Sequence, residues 1–409
     1  METRRSFYPF LLLFSVAMFA SCSSSVPKEG DIIEDSTFRS VDLHMVEKAE
    51  GTVMSLGDLV ETYDIIKLEN KDEALIKTYS FGIFVTDNYI LLKPDAISPV
   101  KLFTRKGEYV ADIGGIGQGP GEYKTMYSWM LDEKLSRIYL GSGNSNKVLI
   151  YDLKGNYLPE EVIHFEEIVH KPWIWVDDNK KNIAVVGLPF SENENSNFEI
   201  SSNLCWVQNL KGDIVHKVSA KNYGLSGDYS NDLVVVRNVD AFSFSIFEDP
   251  GLRTRPDTLY HYDTKRNIII PCFTLDYVVA ANRRVATILY ETSQSYWARV
   301  TLYPNNTSSS ASPVRLTTFN VCVSKKDGSV SRIDRFTDPL LGLSYPYLVM
   351  QNGYVCITFE PLGLMDALDK VLAQTDLKPE ICKRATDLRN SLHENDNDIL
   401  MIGKLKSSY

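Results

Sequence analysis

Short hydrophobic runs alternate with polar turns along most of the chain, and this pattern repeats as a unit. Each unit contains two runs rich in Val, Ile, Tyr and Phe, then a tight turn, and then a third run of the same kind. The tight turns of five successive units lie 48, 57, 55 and 61 residues apart and contain Gly107, Gly155, Gly212, Asn267 and Gly328. Units of about 50 residues with three or four short strands are typical of propeller blades. Tandem immunoglobulin-like modules are the alternative, but each of them needs about 100 residues.

A sixth unit begins at residues 353–359 and is interrupted by two segments whose apolar residues follow helical spacing. These segments predict a helical insertion over about residues 361–394, and residues 399–402 then form a final strand. The early run 60–68 precedes the first unit, so we expect it to pair with the last blade and close the ring. The pattern therefore predicts an all-β, six-bladed β-propeller that forms one domain over residues 46–409.

Two neighbouring stretches carry a resemblance to a known family. The first reads Phe-Thr-Arg-Lys-Gly-Glu-Tyr from residue 103, and the second reads Ile-Gly-Gly-Ile-Gly-Gln-Gly-Pro-Gly-Glu-Tyr from residue 113. Together with residues 257–260, 270–276 and 399–406, they resemble the six-bladed β-propeller lipoproteins that are abundant in Bacteroidetes. The resemblance implies the same fold and an envelope location. It implies no functional site, because the activity of that family is largely undefined.

The N-terminal residues have the pattern of a lipoprotein export signal. Two arginines precede a short apolar stretch that ends in small residues, and Cys22 follows directly. The stretch is shorter than the roughly 20 apolar residues that a membrane-spanning helix needs. We therefore predict a signal peptide over residues 1–21, a lipid on Cys22 and a flexible tether over residues 22–45. Ordinary cleavage, with Cys22 unmodified, is the alternative. The lipid would anchor the protein in the bacterial cell envelope, with the outer membrane expected and its periplasmic or surface side left open.

The charge of the chain limits its partners. There are 53 acidic and 43 basic residues, and the formal net charge is −10. A negative protein repels the phosphates of nucleic acids and of anionic lipids, so no nucleic-acid partner is predicted and membrane attachment is assigned to Cys22.

The remaining cysteines favour buried thiols over a disulfide framework. Four of them lie within apolar, β-branched runs, where a free thiol behaves as a small hydrophobic side chain. These four are Cys205, Cys272, Cys322 and Cys356, and the fifth is Cys382.

The glycine-rich segment 114–121 invites interpretation as a phosphate-binding loop, but it lacks the Lys-Ser/Thr pair and the following helix that such a loop requires. We interpret it as a crossing between two blades, where the backbone needs positive φ. Because such crossings reach the mouth of the central channel, Gln118, Glu122 and Tyr123 are candidates for a binding rim.

Two tryptophans are further candidates for this rim. Trp173 and Trp175 alternate along one run, so their side chains lie on the same face of a strand. Flat aromatic rings of this kind stack on sugars or peptides, whereas packing in the core is the commoner use of Trp in a propeller. Both interpretations remain open at this point.

No motif for catalysis or metal binding is found. The six histidines do not follow zinc-ligand spacing, and we interpret the acidic segment 396–398 as a solvated turn rather than a calcium loop. Neither Ser226 nor Ser344 lies in a nucleophile elbow. No cofactor is predicted, although separate blades could together supply oxygen ligands to a Ca²⁺ ion in the channel.

The sequence favours a lipid-anchored binding or scaffolding module for a protein, peptide or glycan. The alternative is a hydrolase or lyase that acts on a lactone or glycan with a divalent cation in the channel. The fold alone does not separate the two, because propellers host both kinds of activity.

Overall fold

The structure is a computed structural model and describes a propeller of six antiparallel blades. The signal peptide 1–21, Cys22, most of the predicted tether and Ser226 lie outside the described residues. The described ranges are 38–76, 82–95, 98–176, 181–191, 201–225, 230–251, 253, 255–277, 284–303 and 316–406.

Each blade has four strands, counted from the first, nearest the axis, to the fourth, at the outer rim. Blade I consists of Gly82–Val85, Tyr89–Lys93, Val100–Thr104 and Tyr109–Ile113. Blade II consists of Met126–Asp132, Arg137–Ser142, Asn144–Asp152 and Ile163–His170. Blade III consists of Trp173–Val176, Asn182–Val186, Asn203–Asn209 and Ile214–Ser219.

The second half of the ring repeats this order and ends with a strand from the N-terminal part of the chain. Blade IV consists of Asp232–Val236, Phe242–Phe247, Thr258–Asp263 and Ile268–Asp276. Blade V consists of Val285–Glu291, Ser295–Leu302, Thr317–Ser324 and Val330–Thr337. Blade VI consists of Val349–Gln351, Tyr354–Phe359, Ile399–Leu405 and Val60–Lys67.

The ring closes as predicted. Val60–Lys67 pairs antiparallel with Ile399–Leu405 and becomes the fourth strand of blade VI. The pairing joins segments from the two ends of the chain by backbone hydrogen bonds. It also covers a strand edge that would otherwise be open to another molecule.

The residues before this closing strand form a strap along the outer rim. Arg39–Asp42 pairs in parallel with the fourth strand of blade IV, and Thr52–Ser55 pairs in parallel with that of blade V. The short helices Leu43–Lys48 and Leu56–Leu59 follow these two strands. The prediction of a tether up to residue 45 therefore extends too far, because the backbone from Arg39 onward is paired with an exposed sheet edge.

The five tight turns lie between the third and fourth strands of blades I to V. All five turn residues, four glycines and Asn267, have positive φ. Asn267 has a second role, because its side chain accepts the Tyr262 hydroxyl at 2.9 Å and donates to the Lys217 carbonyl of blade III at 2.9 Å. The sequence pattern therefore located these turns correctly.

The strand order gives the ring two different faces. The turns between the first and second strands and between the third and fourth strands lie on one face, which we call the hairpin face. The blade-to-blade crossings and the loops between second and third strands lie on the other, the crossing face. The predicted helical insertion consists of Pro361–Leu372 and Pro379–Ser391 and belongs to the crossing face.

Smaller elements complete the fold. They are the one-turn 3₁₀ helix Pro159–Glu161, the parallel pair Gly115–Ile116 and Glu122–Tyr123, and the short strand Ser344–Tyr345 beside blade V. Within the described ranges, no helix is both long and apolar enough to span a bilayer.

The cysteines after residue 22 are free, as expected. Cys205, Cys272 and Cys356 are buried, Cys322 is half-buried, and Cys382 is exposed on the helical insertion. Burial raises the pKa of the Cys322 thiol to about 11, so this side chain serves packing rather than chemistry.

Candidate ligand-binding site

The central channel contains a cavity of about 660 Å³. The first strands of all six blades contribute to its wall, which is therefore the inside of the ring rather than a cleft within one blade. The contributing residues are Gly82, Trp129, Trp173, Val234, Ile288 and Val349. Apart from the glycine, all of these residues have apolar or aromatic side chains. The volume lies within the range of about 300–1,000 Å³ that is usual for ligand pockets.

Two tryptophans form the aromatic part of the wall. The rings of Trp129 and Trp173 lie 6.2 Å apart at an angle of 47°. Gly82 allows this arrangement, because a Cβ atom at that position would lie 2.2 Å from the Trp129 ring. The indole nitrogen of Trp129 is buried and has no hydrogen-bond partner among the described residues. The two rings therefore supply aromatic surface to the cavity wall.

Charged side chains occur on the part of the cavity formed by blades V and VI. The Arg299 guanidinium lies over the Tyr347 ring at 4.5 Å. Glu360 directly follows the second strand of blade VI at the crossing face, and Asp398 directly precedes the third strand. Burial, reinforced by the negative charge of Glu360, raises the pKa of Asp398 to about 7. The apolar interior is thus bordered by one cation and two carboxyl groups.

Polar side chains connect the blades at the other end of the channel, on the hairpin face. Asn238 of blade IV donates to the carbonyls of Glu291 and Met350 and accepts the Gly353 N–H, each at 3.0 Å. Its amide therefore links blade IV to both blade V and blade VI. Because these bonds occupy the hairpin end, we expect a ligand to enter from the crossing face.

The predicted rim residues separate into different environments. Gln118 is exposed, and Glu122 is exposed with its carboxylate accepting the Gly119 N–H at 2.8 Å. Tyr123 is buried, and its hydroxyl donates to the Ile113 carbonyl and accepts the Val100 N–H. Tyr123 therefore holds the crossing against blade I, whereas Gln118 and Glu122 are the exposed members of the predicted rim.

The two predicted tryptophans do not form one surface. Trp173 lines the central cavity, whereas Trp175 lines a second cavity of about 660 Å³ between blades III and IV. Trp175 packs against Phe242 at 5.7 Å, and the Arg237 guanidinium lies 4.4 Å from its ring. Although they share a strand face, the two rings reach different spaces.

The acidic segment 396–398 is not the solvated turn that its composition suggested. The Asn397 side chain donates to the carbonyls of Glu69 and Ala74 and accepts the Ile76 N–H. It thereby fixes the chain that follows the closing strand of the ring and places Asp398 in the wall of the central cavity.

His261 of the second cavity and two buried neighbours have the side-chain types of a hydrolytic triad but not its geometry. Nε2 of His261 lies 2.5 Å from Oε1 of Glu291, and Ser243 lies opposite His261 on the paired strand. However, Ser243 is fully buried, and its hydroxyl has no hydrogen-bond partner within the described part of the chain. A substrate could not reach it and His261 does not activate it, so the hydrolase alternative has no support from this site.

Metal chemistry also has no assembled site among the residues described. No group of three or more His, Cys, Asp or Glu side chains converges there in an arrangement that could hold a metal ion.

The key cavity residues Trp129, Val234, Ile288, Arg299 and Asp398 were not predicted from the sequence. The only available signal is positional: each of the first three lies in the run that opens a blade after a crossing.

Comparisons with known proteins agree on the fold and leave the activity undefined. The profile of a family described as a domain of unknown function, DUF4934, matches residues 40–404. No functionally curated protein matches the sequence significantly.

Two solved structures from Bacteroides are similar to this chain. A Bacteroides fragilis protein, provisionally described as exported, is similar with a TM-score of 0.58 and 16% identity, covering 90% of this chain and 99% of its own. A Bacteroides vulgatus member of the DUF4221 family aligns over 85% of this chain and 98% of its own, with a TM-score of 0.45 and 9% identity. At 16% identity, the first similarity extends to the fold alone.

Proposed function

Because the chain belongs to the DUF4934 family of six-bladed propellers, whose activity is undefined, we propose from its central cavity that it is a binding module. A protein or peptide segment inserts an apolar side chain into the channel from the crossing face. The observation that carries this proposal is the cavity of about 660 Å³ with wall residues from all six blades.

The chemistry of the wall favours a peptide over a glycan. Glycan sites combine aromatic stacking with many hydrogen-bonding side chains, because every sugar hydroxyl needs a partner. Val234, Ile288 and Val349 supply aliphatic surface instead. Burial of an apolar group there gains about 25 cal/mol per Å² of surface removed from water. An aromatic or aliphatic side chain therefore suits the cavity better than a sugar ring does.

The substitution Val234→Arg tests the site. It places a long charged side chain in the apolar wall, so we expect binding of the neutral probe 4-phenylbutanol to weaken at least about tenfold, equivalent to 1.4 kcal/mol. Saturation-transfer NMR titration of the purified protein measures the affinity. The control is Ile168→Arg, which also replaces an aliphatic side chain by arginine, at an exposed position on the outer strand of blade II.

Probe binding by the two variants shows whether the channel is the site. Loss of binding in Val234→Arg with retention in Ile168→Arg supports the channel as the site, and apolar peptides should then compete with the probe while oligosaccharides do not. If the wild-type protein does not bind the probe, or if both variants bind it equally, the proposed function is wrong.

We also propose that the module is held in the cell envelope by a lipid on Cys22. The pattern of residues 1–22 and the provisional description of the B. fragilis relative as exported support this location. The strap begins at Arg39, so about 16 residues would join it to the lipid and span at most about 55 Å.

The substitution Cys22→Ser tests the anchor. In a Bacteroides host, we expect the variant to move almost completely from the membrane fraction to the soluble fraction, because the lipid on this residue supplies the attachment. Cys382→Ser, which changes an exposed cysteine on the helical insertion, should stay in the membrane fraction. An unchanged distribution of the Cys22 variant would contradict the lipid anchor.

A further inference from the structure

Asp398 is the least expected group in the central cavity. The residue is only 5% exposed, lines the cavity, and its carboxyl group has no hydrogen-bond or ion-pair partner among the described residues. Removing an ionised carboxylate from water without a compensating partner is costly, and native proteins usually pair such a group. A buried carboxyl group that contacts an open cavity therefore indicates a partner that comes from outside the chain.

The neighbours of Asp398 do not provide that partner. Glu360 also lines the cavity, and its negative charge adds to that of Asp398. Arg299 is the cation of the same cavity, but it forms an ion pair with neither carboxylate in the part of the chain that is described and lies over the Tyr347 ring instead. Within the described ranges, neither carboxyl group has a cationic partner, whereas the guanidinium already has an aromatic one.

We propose that the cavity selects ligands with a positively charged nitrogen on an apolar body, and that Asp398 and Glu360 bind this nitrogen. The proposal rests on the proposed function and specifies its ligand: the inserted segment carries a lysine or arginine whose ammonium or guanidinium lies at the carboxylates. The apolar part of the segment contacts Trp129 and Trp173 in the channel. A charge-assisted hydrogen bond supplies the specificity, and apolar burial supplies the remaining affinity.

The charge of the whole protein supports a cation over an anion. At a net charge of −10, the chain attracts positive ligands over long distances and repels negative ones. An anionic ligand bound beside Arg299 would also face Glu360 and Asp398 within the same cavity. The long-range field of the protein and the charges within the cavity therefore both favour a cationic ligand.

Three probes with one phenylbutyl body separate charge from apolar binding. They are 4-phenylbutylamine, which is cationic, 4-phenylbutanol, which is neutral, and 4-phenylbutyrate, which is anionic. We expect the amine to bind at least about tenfold more tightly than the alcohol, which corresponds to the lower end of the range for a charged hydrogen bond, and the acid to bind most weakly. The same NMR titration measures all three affinities.

The variant Asp398→Asn keeps the size of the side chain and removes its charge. It should reduce the affinity for the amine to that for the alcohol and leave the alcohol unchanged. Asp64→Asn, the matched control, makes the same change at an exposed position on the outer strand of blade VI and should leave the preference for the amine in place.

Two failures are distinguishable in this experiment. Equal binding of amine and alcohol, or a preference for the acid, overturns the cation proposal while the channel remains a binding site. Binding of none of the three probes overturns the proposed function as well. A preference for the amine that survives in Asp398→Asn also contradicts the assignment, because the selecting charge would then lie elsewhere.

Discussion

The substitution Trp297→Ala should lower the free energy of unfolding by about 3–5 kcal/mol, the cost typical of deleting a large buried aromatic side chain. Trp297 lies in the second strand of blade V and is fully buried. Its ring is parallel to that of Tyr290 at 6.1 Å and 5°, and Phe336 lies 6.3 Å away. These three side chains belong to an apolar cluster that includes Met350 of blade VI and Leu364 of the helical insertion. An alanine would leave a cavity where two blades and the insertion meet.

Urea unfolding followed by far-UV circular dichroism measures this loss without depending on tryptophan fluorescence. The control is Trp297→Phe, which keeps an aromatic ring in place and removes an indole N–H that is buried without a hydrogen-bond partner in the described structure. We expect this variant to lose only about 1 kcal/mol, because most of the packing is retained and no hydrogen bond is given up. If Phe and Ala cost the same, the stabilisation does not come from ring packing.

The architecture of the protein was predictable because its signals are local or repeated. Gly107 and Asn267 mark turns whose backbone needs positive φ, and this requirement is visible in single residues. The closing strand was predictable by elimination, since residues 60–68 are strand-like but precede the first complete unit. The strap was missed because a pair such as Arg39 and Phe273 lies 234 residues apart in the sequence, and its two strands have no shared pattern.

The binding site was far less predictable, because the sequence does not show which side of a strand faces the axis. Trp173 and Trp175 were correctly placed on one strand face, yet two residues along a strand cover about 7 Å, which is enough to reach two different cavities. For Asp398, the sequence suggested the wrong environment. Its acidic neighbours suggested solvent, whereas the hydrogen bonds of Asn397 to residues 69–76 bury it.

The buried carboxylate of Glu291 gives the second large effect and a pH dependence. Its Oε1 lies 2.5 Å from His261 Nε2, and its Oε2 lies 2.5 Å from Lys325 Nζ. His261 belongs to blade IV, whereas Glu291 and Lys325 belong to blade V, so the carboxylate links two blades. Burial alone would raise the pKa of Glu291, but the hydrogen bonds and positive charges of its two partners outweigh burial and lower the pKa to about 2.

The variant Glu291→Gln should therefore lower the free energy of unfolding by about 3 kcal/mol at pH 7. The substitution replaces a charged carboxylate, which interacts with two side-chain donors, by a neutral amide. The folded protein holds this carboxylate at a lower pKa than the ordinary 4.5, so between pH 4.5 and about 2 the unfolded chain binds more protons. The stabilisation is fully present above pH 4.5 and is lost as the pH falls toward 2. The difference between wild type and variant should accordingly shrink as unfolding is measured at pH 7, 5, 4 and 3.

Glu122→Gln supplies the comparison for this series, because its exposed carboxylate accepts a backbone N–H at the protein surface. A surface change of this kind should alter stability by no more than about 0.5 kcal/mol. If Glu291→Gln costs the same at pH 3 as at pH 7, the effect would come from lost packing or geometry, and the carboxylate would not be the charged link between blades IV and V. A difference that narrows only in the acidic range instead assigns the stabilisation to the ionised form, held by His261 from one blade and Lys325 from the next.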